Sequence, residues 1–120
     1  MQERYLGDIH DYFKFLFIKH ISKELNSKIG LNWFLVNPNQ IGSKELKKND
    51  GEKRNYLNDK TLISYDKKLI EELKFYLDKS NRKINTFTDK THLSKYIRFF
   101  NKHIDLNNRE AWIQESLEYF

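Results

Sequence analysis

The strongest apolar pattern lies near the start of the chain. Ile9, Tyr12, Phe13, Leu16, Phe17, His20 and Ile21 recur at the spacing of one helical face, with Phe15 and Ile18 on a second side. The pattern predicts a helix that begins near Asp8, whose carboxylate can cap the first backbone N–H groups, and ends between Leu25 and Lys28 ahead of Gly30. His20, on the inward side of that pattern, is expected to be a hydrogen-bonded core histidine. Leu31 to Val36 follows as a nearly continuous apolar run bounded by Gly30 and Pro38, the pattern of a strand covered on both faces.

Residues 39–60 break the apolar rhythm. Lys44, Lys47, Lys48, Lys53, Arg54 and Lys60 are mixed with Glu45, Asp50, Glu52 and Asp59, and Asn49-Asp50-Gly51 is a turn signal. A charged loop is expected there, anchored to the core by Tyr56 and Leu57. Beyond it, Asp66 to Lys79 reads as a helix with Leu69, Ile70, Leu73, Tyr76 and Leu77 inward, and Asn81 to Ser94 as loops around a short helix. Tyr96 to Phe100 reads as a second strand, and Asn107-Asn108 as the cap of a last helix with Trp112, Ile113 and Leu117 inward. The alternation of helix and strand predicts a single α/β domain over residues 1–120, small and Rossmann-like, with a short central sheet flanked by helices.

Composition refines this picture. Aromatic residues make up 15% of the chain, so the core is expected to be built from rings. Lys and Arg number 22 against 17 Asp and Glu, and the resulting charge of +5 favours an anionic partner. With no cysteine, disulfides, zinc–thiolate sites and thiol nucleophiles are excluded. The first residues lack the pattern of a signal peptide, and the longest strongly apolar stretch, Phe15 to Ile18, is far below the roughly 20 residues that span a bilayer. A cytoplasmic protein with no membrane partner is expected.

Two stretches carry candidate chemistry. Asp8, Asp11 and Lys14 fall three residues apart on one helix side, and two carboxylates with a lysine are the equipment of metal-assisted phosphoryl chemistry. On that reading Asp8, Asp11 and the loop residue Asp50 are candidate ligands for Mg²⁺, and Asp8, Asp11 and Lys14 the candidate catalytic groups, with Arg4 near an anion. The same spacing also suits a helix cap and a helical ion pair. Lys44, Lys47, Lys48, Lys53, Arg54 and Tyr56 have the composition of a phosphate-contacting loop, and also that of a solvated one. None of the four histidines, His10, His20, His92 and His103, stands at a zinc-binding spacing, and no glycine-rich phosphate loop or nucleophile-elbow motif is present.

The string Arg4-Tyr5-Leu6-Gly7-Asp8 followed by Asp11-Tyr12-Phe13-Lys14-Phe15 resembles the opening of an uncharacterised bacterial family with the pattern Y-x-G-D-x-x-D-[FY]-x-K. Trp33, Asp50-Gly51, Tyr56-Leu57, Phe99-Phe100 and Arg109 to Trp112 follow in a similar order. The resemblance implies longer relatives that continue into a second half with an Asp-Pro-Asp-Asn motif, similar to the acidic motif of Rossmann-like nucleic-acid-modifying enzymes. It matches only the N-terminal half. The expected function is accordingly non-enzymatic: a small basic protein that engages nucleic acid or a nucleic-acid-processing protein, as a regulator or inhibitor in the conflict between phages and bacterial defence, with a homodimer as a further expectation. The alternative is a metal-dependent enzyme, or the N-terminal half of one, acting on nucleic acid or nucleotides.

Overall fold

The computed structural model of the chain describes residues 1–40 and 53–120. Helix α1 spans Ile9–Leu25. Asp8 caps it by accepting the Asp11 N–H at 2.9 Å, and Asn26, left-handed at φ 49°, closes it. The Ser27 N–H reaches back to the Ser22 carbonyl and the Asn26 N–H to that of Lys23, a double bond pattern that occupies two of the last carbonyls of the helix.

Strand β1 (Ile29–Asn32) pairs in parallel with β2 (Ile97–Phe100), Ile29 opposite Ile97 and Asn32 opposite Phe100. The strand expected over Leu31 to Val36 thus starts earlier and stops sooner. Asn32 Oδ1 accepts the Phe34 N–H at 2.9 Å, and Phe34 turns into the left-handed region at φ 53°, which ends the ladder. Pairing resumes only at a single parallel bridge between Leu35 and His103.

Between the strands run α2 (Lys60–Tyr65), α3 (Lys67–Lys74) and α4 (Ile84–Lys90). Asp66 starts α3 as its cap, bonding the Leu69 N–H at 3.0 Å. The helix expected to reach Lys79 changes at Phe75–Leu77 into one tighter turn, which leaves Leu77 exposed. Helix α5 (Arg109–Tyr119) is capped by Asn108 on the Ala111 N–H at 3.1 Å.

The core is aromatic. Phe15 of α1 stacks on Phe87 of α4 at 5.2 Å, and Trp33 stacks on Phe99 of β2 at 5.5 Å while meeting Phe15 and Phe87 edge-on. Leu69, Ile70, Leu73 and Tyr76 close it from α3 and the turn that follows, as their spacing indicated. Each such side chain, fully buried, contributes about 1.5–3 kcal/mol.

The inward faces of two helices differ from expectation. The buried stripe of α1 is Asp11, Tyr12, Phe15, Lys19 and Ser22; His20 and Phe13 are exposed, and Phe17 is 66% exposed. In α5, Trp112 and Ser116 are buried, whereas Ile113 is exposed and Leu117 is 62% exposed. In α1 the inward side chains include Tyr12, whose hydroxyl donates to the Leu62 carbonyl, and Lys19, which donates to Asp66; in α5 the inward Trp112 donates to the Lys102 carbonyl.

Candidate functional site

Asp8, Asp11 and Lys14 do come together. With Met1, Tyr5, His10, Leu31, Asn32 and Trp33 they line an open cleft of about 290 Å³. Within it the two carboxylates are already engaged. Asp8 caps α1, and Asp11, only 3% exposed, accepts the Gly7 N–H at 2.9 Å and the Lys14 ammonium at 2.7 Å. Burial pushes the Asp11 carboxyl above its ordinary range, against the opposing pull of Lys14 and the Gly7 N–H. Lys14 lies over the Trp33 ring at 5.4 Å. Among the described residues no group of three His, Cys, Asp or Glu side chains is placed to hold a metal ion. Asp50, the third candidate ligand, lies outside the described residues.

The charged loop separates into two parts. Lys44, Lys47 and Lys48 lie outside the described residues. Lys53 is exposed, and its carbonyl accepts the Ile9 N–H at 3.0 Å. Arg54 and Tyr56, expected on a phosphate-contacting surface, are instead interior groups: the Arg54 guanidinium donates to the Leu6 carbonyl at 2.8 Å and the Tyr56 hydroxyl to that of Gly7 at 2.7 Å. Both clamp the turn that precedes α1, where Gly7 takes φ +85°. Tyr56 and Leu57 anchor this stretch to the core, as expected. Arg4 packs its guanidinium over Tyr5 at 4.8 Å, and its carbonyl accepts a bond from the buried Arg82 at 2.8 Å.

A different surface gathers basic side chains. Where α1 ends and β1 begins, Ser22, Lys23, Asn26, Ser27 and Lys28 face Lys95 and Tyr96 across a cleft of about 350 Å³. The parallel pairing makes this neighbourhood, because the Ile29 N–H bonds the Tyr96 carbonyl at 2.9 Å and sets the starts of both strands side by side. Lys28 also lines a second cleft, of about 330 Å³, with Thr88, Asp89, Ser94, Arg98, Asn101 and Tyr119 among its walls. The two clefts therefore adjoin at Lys28. Lys23 lies over the Tyr96 ring at 5.4 Å and Arg98 over the Tyr119 ring at 4.7 Å.

These four cations line two adjoining clefts, which sets them apart from exposed cations such as Lys60, Lys67, Lys68, Lys90 and Arg109 that also have no ion pair among the described residues. Lys14, Lys74, Lys83 and Lys102 each pair with a carboxylate, as does the buried Lys19. No carboxylate of the described residues is within ion-pair distance of Lys23, Lys28, Lys95 or Arg98, all of which are exposed. The negative end of the α1 dipole lies nearby, but it amounts to about half a charge against four. Asp89 is the acid that lines this surface. In sequence these residues are scattered over 23–28 and 95–98, and only the strand pairing unites them.

Behind Tyr96 lies a buried polar chain. Lys19 donates to Asp66 and sits 2.7 Å from His92 Nε2, while His92 Nδ1 meets Glu72 Oε2 at 2.7 Å and the His92 N–H meets Glu72 Oε1 at 3.0 Å. The Lys19 ammonium also covers the Tyr96 ring at 5.2 Å, and His92 packs edge-on against the same ring. This chain fixes the aromatic wall of the first cleft from the inside.

Compared with protein-family models, curated proteins and solved structures, the chain matches none. No helix of the described residues is long and apolar enough to cross a membrane.

Proposed function

We propose that this chain is a nucleic-acid-binding protein whose contact surface is the basic face formed by Lys23, Lys28, Lys95 and Arg98. The observation that carries the reading is that four exposed cations without carboxylate partners line two clefts joined at Lys28. Cations arranged in this way recognise phosphates without reference to sequence and release counterions as they do so. Paired lysines would first have to give up a carboxylate. The phosphates would follow the starts of the two strands, with Ser27 and Ser94 as neutral hydroxyl neighbours.

A role as a regulator or inhibitor of a nucleic-acid-processing protein, in phage–bacterial conflict, fits a binding surface of this kind and the resemblance of the opening string. The parallel pairing of β1 and β2 through a long helical connection supports the reading of the chain as a small Rossmann-like domain, since parallel neighbours require such a crossover.

The test compares charge reversal at Lys28, which lines both clefts, with charge reversal at a cation that lines neither. Lys28→Glu is expected to weaken oligonucleotide binding at least tenfold at low salt, and Lys67→Glu, at an exposed position on α3, to change it less than twofold. Equal effects of the two substitutions would remove the basic face from the account.

A further inference from the structure

We propose that the ligand of the basic face is single-stranded nucleic acid, held by its phosphates on the lysines and by its bases on Tyr96 and Tyr119. The inference rests on the nucleic-acid reading above and narrows it. Each of the two clefts carries one tyrosine beside its cations: Tyr96 with Lys23, Lys28 and Lys95, and Tyr119 with Lys28 and Arg98. Single-strand binders combine these two elements, a positive groove that tracks the backbone and rings on which unpaired bases stack. In a duplex the bases are already stacked and paired, so a ring at the surface finds no base to take.

The rings are held in place. Tyr119 packs against Phe100 at 5.5 Å and Phe120 at 5.7 Å and remains 42% exposed, with the Arg98 guanidinium over it. Tyr96 is half-buried, with the ammonium groups of Lys19 and Lys23, one helical turn apart, and the edge of His92 against its ring. A preset ring loses little conformational freedom when a base arrives.

The shape agrees. Duplex readers project a helix or a two-stranded ribbon into a groove of the nucleic acid. Here the cations line concavities at the start of the sheet, between the end of α1, the turn before β2 and the end of α5. A concavity receives a splayed base, while the convex surface of a duplex would bridge it.

The experiment compares a fluorescently labelled single strand of about 12 nucleotides with the blunt duplex of the same sequence, by anisotropy at low salt, a length within the range that small single-strand binders cover. Wild type is expected to bind the single strand at least tenfold more tightly than the duplex. Tyr119→Leu, which keeps the apolar bulk against Phe100, is expected to lose roughly five- to 150-fold in single-strand affinity, the size of one lost stacking contact. Its salt slope should stay unchanged, and its circular dichroism should match wild type. Duplex binding as tight as single-strand binding, or an unaltered affinity in Tyr119→Leu, would overturn the inference and leave the nucleic-acid reading standing. Binding of neither probe at low salt would overturn both.

Discussion

The ammonium of Lys19 and the imidazole of His92, 73 positions apart in the chain, meet at 2.7 Å. An ammonium has only donors, so His92 Nε2 accepts and Nδ1 carries the proton that it gives to Glu72. Lys19 also donates to Asp66, the cap of α3. One buried lysine thereby ties α1 to the start of α3 and to the turn that leads into β2.

Removing that lysine should be costly. Lys19→Met leaves Asp66 and His92 facing each other without the cation, with the Lys19 and Asp66 side chains only 11% and 14% exposed. A loss of about 2–4 kcal/mol in urea unfolding is expected, against less than about 0.5 kcal/mol for Lys74→Ala at the exposed pair with Glu71. Similar losses for the two variants would mean that the buried chain is not a unit.

The acid limb of stability follows from two aspartates with opposite signs. Burial pushes the Asp66 carboxyl up, but the Lys19 hydrogen bond, the Leu69 N–H and the charge of Lys19 outweigh it and hold the group below its ordinary range. Its contribution is present above the unfolded-state pKa and is lost as pH falls through the lower folded value. Asp66→Asn should therefore flatten the fall in melting temperature on the acid side. Asp11 is raised by burial, so its contribution is present below the unfolded pKa and is lost as pH rises through the folded one. Asp11→Asn should compare better with wild type at neutral pH than in acid. Parallel acid limbs for wild type and both variants would contradict this assignment.

The turn before α1 has its own test. Gly7 takes φ +85°, and a Cβ there would lie 3.1 Å from the Arg54 guanidinium and 3.3 Å from Tyr76 Cβ. Gly7→Ala is expected to cost about 1–3 kcal/mol. The loss should be read by urea denaturation, and a neutral result would show that the clamp made by Arg54 and Tyr56 yields.

How much of this was legible in the sequence depended on the range of the interaction. The Asp8 cap, the Asp11–Lys14 pair and the Asn108 cap are all contacts across three residues, and helical spacing exposes such contacts directly. The aromatic core and the strand at Ile97–Phe100 were legible from ring content and position. The inward face of α1 was not, because apolar residues occupy most sides of that helix and its orientation is decided by Lys19, whose partner Asp66 is 47 residues away. Arg54 and Tyr56 looked like loop residues for a related reason: their acceptors are carbonyls of Leu6 and Gly7, and backbone acceptors leave no trace in a side-chain pattern. The basic face likewise exists only once Ile29 is set opposite Ile97.

The N-terminal cleft supplies a contrasting prediction. With Asp8 capping a helix and Asp11 holding the Gly7 N–H and Lys14, Mg²⁺ or Mn²⁺ is expected to leave the melting temperature unchanged. A rise that disappears in Asp11→Asn would move the function to that cleft and favour a metal-dependent enzyme.

The salt dependence of single-strand binding tests the central claim most directly. If Lys23, Lys28, Lys95 and Arg98 neutralise phosphates together, log affinity should fall against log salt with a slope of up to about −3, and Lys28→Glu should reduce its magnitude by roughly 0.7 or more. A slope near zero, or one that Lys28→Glu leaves unchanged, would contradict the account.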